Sequence, residues 1–291
     1  MKKKIYQVDA FTSEPFQGNP AGVVTDATGL TEREMLLIAR EMKLSETAFV
    51  FPGGEGYDFE VRFFTPTEEV DLCGHATIAT FSLLKALKLI PKDKHQLIQK
   101  TKAGLLEIKF VDDAVIMRQA TPMHVSKEIE MAVFCEAMAM DAGVIGVKNL
   151  MGQPEIWSTG LADVMLPVAS VEVLKSLAPD MNKLADLSRE LDVSGVHAFT
   201  IDEHNQIWCR NFAPACGIPE ESATGTSNGA LGACLHAKGY QVDGVLAFES
   251  YQGDWMDSPS RIHVEVKGED GPEVWVGGKA AVVLEGEIRV R

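Results

Sequence analysis

Three short segments carry residue types that could do chemistry: Leu44-Ser45-Glu46-Thr47, Cys73-Gly74-His75, and Glu221-Ser222-Ala223-Thr224-Gly225-Thr226. A carboxylate such as Glu46 can act as a general acid or base. A thiol and an imidazole close together can serve nucleophilic or proton-transfer chemistry. Small residues at a helix start leave backbone N–H groups exposed at the positive end of the helix dipole, where a carboxylate or phosphate binds well. The last two segments are related, because Asp71-Leu72-Cys73-Gly74-His75-Ala76-Thr77 returns in altered form as Ser222-Ala223-Thr224-Gly225-Thr226-Ser227-Asn228. Upstream, Arg62, Phe64 and Pro66 recur as Arg210, Phe212 and Pro214 at a constant offset of 148, which becomes 151 at Gly74 and Gly225. A strand, a proline stop, a loop and a glycine-bearing helix start thus occur twice in the same order, and two halves of similar architecture follow.

Each of these features also has a plainer reading. One glycine at a strand-to-helix junction usually serves a tight turn, but recurrence with polar neighbours favours a binding role. Glu46 alone would read as a solvated loop residue. Residues i and i+2 around a helix start usually point apart, so a Cys73–His75 nucleophile pair is a weak expectation, and Cys73 also fits as a small buried residue. Glu220 and Glu221 mirror Glu69 and Asp71, and acidic groups beside both anion sites would suit a substrate that also carries an amine.

The elements that must position these groups are legible. Thr31 and Glu34 form a capping box ahead of a helix over about 32–43. The β-rich runs 47–51 and 58–64 flank Pro52-Gly53-Gly54-Glu55-Gly56 and predict an antiparallel hairpin. Pairing Phe51 with Asp58 sets Glu46 beside Phe63, within two residues, at the end of the domain where the 73–75 turn lies. A helix over 75–87 is apolar on nearly every side and therefore buried; its counterpart is expected near 226–238. Further strands are expected near 5–8, 21–24, 105–110, 114–118, 163–168, 197–201, 206–212, 261–267, 273–277 and 280–290, with helices near 128–140, 170–177 and 181–190. The domains are expected to be 1–120 and 121–279, with a final strand near 280–291 able to return to the first.

The composition narrows the function. With 27 basic and 42 acidic residues the 291-residue chain carries a formal charge of −15, which argues against nucleic acid and anionic membrane partners. There is neither a signal-peptide core nor an apolar run long enough to span a membrane, so a cytoplasmic protein is expected. Five cysteines without close spacing and scattered histidines argue against disulfides and against a metal site.

Several longer motifs carry a resemblance. Asp9-Ala10-Phe11-Thr12, Pro15-Phe16-Gln17-Gly18-Asn19-Pro20, Leu44-Ser45-Glu46-Thr47-Ala48-Phe49-Val50, Phe64-Thr65-Pro66, Leu72-Cys73-Gly74-His75-Ala76-Thr77, Gly217-Ile218-Pro219-Glu220-Glu221-Ser222-Ala223-Thr224-Gly225-Thr226 and Val276-Gly277-Gly278-Lys279-Ala280 resemble the phenazine-biosynthesis PhzF family in the family's order. The resemblance implies a diaminopimelate-epimerase-like α+β fold: two similar domains, each a curved, mostly antiparallel sheet around a central helix, with the active site between them. It implies an isomerase that works without metal or organic cofactor, and a homodimer. The family's catalytic glutamate falls on Glu46 and its histidine on His75, with Glu221 at the polar position of the second turn. The implied substrate-binding set is Asn19, Cys73, Gly74, Ala76, Thr224, Gly225, Thr226 and Ser227. Where the family usually has Glu-Asp-Pro-Ala-Thr-Gly-Ser, this chain has Glu220-Glu221-Ser222-Ala223-Thr224-Gly225-Thr226, so the resemblance does not establish phenazine-precursor specificity.

The leading expectation is a cofactor-free isomerase that moves a proton on a small carboxylate-bearing, cyclic or amino-acid-like substrate, with Glu46 as the shuttle. Two alternatives stand beside it: an amino-acid racemase or epimerase using Cys73 with a non-thiol partner, since Thr224 occupies the place of a second cysteine, and a binding protein for small acids that keeps the cleft without turnover.

Overall fold

The computed structural model describes residues 1–147, 149–240, 246–268 and 271–290. The chain forms two compact units, residues 1–118 with 277–291, and residues 119–276. The first unit runs β1 (Lys2–Ala10), β2 (Asn19–Val24), α1 (Glu32–Met42), β3 (Thr47–Gly54), β4 (Tyr57–Phe64), β5 (Glu69–Val70), α2 (Gly74–Ala86), β6 (Gln96–Thr101), β7 (Gly104–Val111) and β8 (Ala114–Arg118). The second unit holds β9 (Met123–Val125), α3 (Met131–Met138), β10 (Glu155–Ser158), β11 (Ala162–Pro167), α4 (Val171–Ser176), α5 (Met181–Leu191), β12 (Gly195–Ile201), β13 (Ile207–Ala213), β14 (Ile218–Glu221), α6 (Gly225–Ala237), β15 (Leu246–Gln252), β16 (Ser260–Lys267) and β17 (Glu273–Gly278) up to Val276. The final strand, β18 (Ala280–Arg289), pairs antiparallel with β1; Arg291 lies outside the described residues.

The fold is α+β, and both units use one plan. In the first, β2 runs parallel to β3, β3 antiparallel to β4, and β4 parallel to β6. In the second, β11, β12, β13 and β15 repeat that sequence of orientations. Each sheet wraps one apolar helix. Ala76, Ile78, Ala79, Phe81, Leu83 and Leu84 of α2 are all buried, and strands from both ends of the sheet, β1, β2, β3, β8 and β18, pack on it. α6 is enclosed in the same way by β10, β11, β12, β15 and β16. Neither helix can face water without exposing apolar surface, which costs about 25 cal/mol per Å².

α1 begins at the expected capping box: the Thr31 amide donates to Glu34 Oε2 at 2.8 Å and the Glu34 amide to Thr31 Oγ1 at 3.3 Å. It ends at Lys43, whose left-handed backbone (φ 55°) turns the chain into the Leu44-Ser45-Glu46 connection. The buried face of α1, Met35, Ile38 and Ala39, packs on Phe49 and Phe64, whose rings meet edge to face at 5.5 Å.

The β3–β4 hairpin differs from its expected register by two residues. Phe51 faces Glu60 rather than Asp58, because the strands continue through Pro52, Gly53 and Gly54 and only Glu55-Gly56 forms the turn, with Gly56 at φ 83°. A shift of two preserves which side chains face the core. It sets Thr47 opposite Phe64 and leaves Glu46 just before the strand, where its carbonyl accepts the Gly22 amide at 3.0 Å.

Phe64 is 1% exposed and joins the α1 packing to the strand that sets Glu46. Phe64→Ala is expected to destabilise the protein by about 3–5 kcal/mol, read as a shift of the urea unfolding midpoint.

Candidate active site

The first unit brings Glu46, Cys73 and His75 into one cluster. Cys73 is the N-cap of α2, in extended conformation (φ −140°, ψ 118°), and Gly74, His75 and Ala76 form the first turn. From there the His75 ring lies between two partners: Cys73 Sγ is 3.4 Å from Nδ1, and Glu46 Oε2 is 3.3 Å from Nε2. Ser45 Oγ also lies 3.3 Å from Nε2. The Cys73–His75 pairing, a weak expectation from i, i+2 spacing, is therefore formed. An N-cap residue has strand-like dihedrals while His75 is already helical, so the two side chains converge where two residues of a continuous helix would diverge.

Cys73 Sγ, 3.4 Å from Nδ1 and 3.9 Å from Nε2, packs over the imidazole face, while Nε2 is the ring nitrogen that meets Glu46. The cluster therefore runs thiol, imidazole, carboxylate. Its outer end is the carboxylate, for the Glu46 side chain is 20% exposed whereas His75 is at 8% and Cys73 at 7%.

Gly74 lies beside this cluster. Its φ is not positive, and a Cβ built there would meet nothing within 4 Å, so neither strain nor packing requires glycine. What glycine leaves is open space at its own Cβ position, on the turn where the amides of Gly74, His75 and Ala76 have no intrahelical acceptors. Asn19 opens β2 opposite Ala10, in a loop folded by the Phe16 amide donating to Asp9 Oδ2 at 2.8 Å. Asn19 is buried there, three residues ahead of Gly22.

The second unit gathers Glu221, Thr224, Gly225, Thr226 and Ser227 at the start of α6. Thr224 Oγ1 donates to Glu221 Oε2 at 2.7 Å, and Gln252 braces the turn by donating to the Glu221 carbonyl at 2.8 Å and to Thr224 Oγ1 at 3.1 Å. Asn228 donates to Gln252 Oε1 at 2.9 Å and to the Thr224 carbonyl at 2.9 Å. The other acidic residues flanking the two turns do not extend this pattern. Glu69 is held by Arg62 at 2.6 and 2.7 Å, and Glu220 by Arg210 at 2.8 Å through both nitrogens. These bidentate pairs are the structural meaning of the repeated arginine, and they correct the expectation that Glu69 and Glu220 wait for an amine.

Behind α6 lies a buried polar network that holds one expected substrate-binding residue, Ser227, with its hydroxyl turned inward. Ser227 Oγ donates to Asp163 Oδ2 at 2.5 Å and accepts from Asn211 Nδ2 at 3.1 Å, and that amide also lies 3.3 Å from His197 Nδ1. Burial pushes the Asp163 carboxyl up to about 7, against the opposing pull of the Ser227 hydrogen bond. Burial likewise holds His197 down, to about 3. Ser45, Asp163, His197, Asn211, Asn228 and Gln252 all escaped the sequence reading. The available signal was a lone polar residue inside an apolar strand, as in Ala162-Asp163-Val164 and Val196-His197-Ala198.

Comparison with known proteins decides the family. Residues 8–286 match the family described as phenazine biosynthesis-like protein, PhzC-PhzF. The chain belongs to that family. An uncharacterized isomerase of Clostridium acetobutylicum is 36% identical, over 99% of this chain and 98% of its own. The trans-2,3-dihydro-3-hydroxyanthranilate isomerase of Pseudomonas aeruginosa is 32% identical, over 96% of each chain. The crystal structure of a PhzF-family phenazine biosynthesis protein from Bacillus anthracis superposes with a TM-score of 0.86 at 29% identity and full coverage of both chains. A hydroxyproline epimerase from Agrobacterium vitis shares the fold alone, at 12% identity and a TM-score of 0.61 over 99% of this chain and 92% of its own. The chain is accordingly a PhzF-family isomerase. Among the described residues, no helix is long and apolar enough to cross a membrane.

The buried network makes a pH prediction for this isomerase. Asp163, raised from 3.8 to about 7, binds its proton more tightly when folded, so its contribution to stability falls as pH rises between those values. His197, lowered from 6.5 to about 3, is held neutral in the fold, so its contribution is lost as pH falls through that range. The two slopes oppose each other across the shared range. Relative to wild type, Asp163→Asn is expected to gain stability progressively from about pH 4 to 7, and His197→Gln from about pH 6.5 down to 3. Urea unfolding across this range checks both signs.

Proposed function

We propose that the protein moves a proton between carbons of a small, carboxylate-bearing substrate, with Glu46 as the single acid/base group. The observation that carries this reading is the order of the cluster. In a nucleophilic thiol triad the sulfur meets substrate and the carboxylate is buried behind the imidazole. Here that order is inverted, since Glu46 is the most exposed member and Cys73 is buried. His75 orients Glu46 through Nε2 and stabilises the carboxylate after the proton has left, and Cys73 packs on the imidazole from behind.

In this reading the Glu46 carboxylate takes a proton from a substrate carbon adjacent to an activating group. The electron pair of the broken C–H bond is delocalised into the substrate, and Glu46, whose carboxyl proton exchanges with solvent, delivers a proton to a second carbon within reach. Nothing is oxidised and no atom is lost or gained, as an isomerisation requires. The substrate carboxylate is assigned to the α2 helix start, where Gly74 leaves room for it. The α6 start, with Thr224, Thr226 and Glu221, is assigned polar recognition of other substrate groups, while the Ser227 hydroxyl is turned inward to Asp163 and Asn211. Support for the substrate class comes from the name of the Pseudomonas aeruginosa relative, which isomerises a hydroxylated cyclic amino acid. Glu221, Ser222 and Thr226 depart from the family's usual segment, so the choice of substrate within that class is left to the panel below.

trans-2,3-Dihydro-3-hydroxyanthranilate and a panel of cyclic amino acids incubated in D₂O test the reading. Glu46→Gln is expected to lower deuterium incorporation by about 10²–10⁴-fold with binding largely kept, whereas Cys73→Ala slows it far less. Full exchange by Glu46→Gln would sink the assignment, and abolished exchange in Cys73→Ala would favour the thiol-based epimerase.

Gly74→Ala separates binding from chemistry. Alanine is a better helix former and meets no neighbour, so stability is expected to hold while KM rises about tenfold or more, equivalent to 1.4 kcal/mol. An unchanged KM would remove the carboxylate from that helix start.

A further inference from the structure

Among the described residues no large apolar side chain is more exposed than Phe16, at 82%. It lies in the loop between β1 and β2, three positions ahead of Asn19, with a left-handed backbone (φ 69°) like that of Phe11 (φ 64°) in the same loop. A bulky residue rarely adopts that conformation and persists in it only where the surroundings dictate it. Phe11 is 1% exposed and fills the core, whereas Phe16 fills none. The loop is nevertheless pinned around it. The Phe16 amide donates to the buried Asp9 carboxylate at 2.8 Å, the Thr12 amide to the Lys279 carbonyl at 3.2 Å, and the Glu14 amide to Thr12 Oγ1 at 3.0 Å. At Gly18 (φ 73°) a Cβ would meet the Ala10 carbonyl oxygen at 2.1 Å, so that side of the loop closes directly on β1. A fixed and strained segment thus holds one aromatic ring out in solvent.

The strand order puts that ring at the edge of the sheet where the candidate site lies. Ala10 at the end of β1 is level with Asn19 at the start of β2 and with Ala280 at the start of β18. β2 runs parallel to β3 with Gly22 opposite Thr47, so β3 begins at the same edge, immediately after Glu46. The start of α2 is there too, because His75 meets Glu46 and the helix packs on β1, β2, β3 and β18. We propose that Phe16 is a specificity-determining residue, which lays its ring against the ring face of a cyclic substrate whose carboxylate is held at the α2 start. This rests on the reading of Glu46 and the α2 start as the reaction site. A small cyclic acid fits better than a protein partner. The exposed neighbours Ser13 and Glu14 are polar, and one phenylalanine supplies about 150–250 Å², against the roughly 800 Å² per partner of a stable protein interface. A ring offers a flat face to an aromatic side chain, and such stacking adds to plain apolar burial. A linear acid of equal carbon number offers none.

The test measures binding of two probes to the full-length protein by calorimetry: 2-aminobenzoate, a flat ring with a carboxylate and an amine, and 2-aminoheptanoate, its linear counterpart with the same number of carbons. Wild type is expected to bind 2-aminobenzoate about 10-fold more tightly or better. Phe16→Ala should shrink that preference to about 2-fold, mainly by weakening the ring acid, and Phe16→Tyr should keep it. Because Phe16 packs in no core, the urea midpoint of Phe16→Ala should stay as in wild type, so a lost preference is not lost folding. If wild type binds the two acids equally or binds neither, or if Phe16→Ala keeps the wild-type preference, the proposal is overturned. A kept preference together with a lower mass of Phe16→Ala in sedimentation velocity would assign the ring to contact between copies of the chain instead. The aromatic C–H bonds of 2-aminobenzoate are not acidic enough for Glu46 to break, so its binding is read without turnover. Failure here therefore leaves the deuterium test of Glu46 standing, and failure of that test leaves this one readable.

Discussion

The constraint on which this structure depends is that α2 and α6 are apolar on all sides. Such a helix can be stable only when a sheet closes around it, and closure leaves its ends as the places where its unsatisfied backbone groups meet the surroundings. The N-terminal turn is therefore at once the exit from the core and an exposed set of amides. Residues placed there acquire chemical opportunities that the helix interior denies them. In α2 these are the Cys73–His75 contact and the open space at the Gly74 Cβ position; in α6 they are the Thr224 and Glu221 contacts.

Both units answer that constraint with the same backbone and different side chains. Phe64 pairs with Thr47 in the first, and Phe212 pairs with Val196 in the second, so the place of Glu46 is taken by Gly195. The second unit's carboxylate stands instead on the neighbouring strand, as Asp163, the Cα partner of Gly195. Its hydrogen bond goes to Ser227 inside the fold rather than to a histidine at the surface. The repeat thus kept the location of an acid near the helix start but changed its accessibility, from 20% for the Glu46 side chain to 2% for Asp163. A carboxylate that burial keeps protonated up to about neutral pH suits a fixed hydrogen-bond partner, whereas a partly exposed one suits exchange of a proton with a ligand.

The legibility of these features in the sequence follows the same physics. The capping box of α1, the uniform apolarity of α2 and α6 and the recurring arginine are local patterns, and each predicted its element. The hairpin register slipped by two because glycine and proline residues read as a loop continue the strands. β6 and β15 escaped because buried polar residues carry their inward faces: Gln99 and Thr101 in one, Ser250 and Gln252 in the other. Hydrophobic alternation cannot register a strand whose core side is partly polar. The Asp163 network was hidden for a related reason, since its four members come from β11, β12, β13 and α6 and meet only in three dimensions.

The Cys73–His75 contact shows where spacing arguments stop. Position i, i+2 predicts divergence within one regular element, but these residues straddle a boundary, with Cys73 extended and His75 helical. Caps are the points at which sequence periodicity changes, and side chains on either side of one can converge whatever their spacing. Glu46 stands at another such boundary, between the left-handed cap of α1 and the first residue of β3. The Glu46, Cys73 and His75 cluster is therefore assembled from two element junctions, held by cores on either side, and not from the face of any one helix or strand. That arrangement lets Phe49, Phe64 and the α2 interior stay packed while the groups at the junctions vary, and it explains how one fold can keep its stability while Glu221, Ser222 and Thr226 depart from the family pattern at the other helix start.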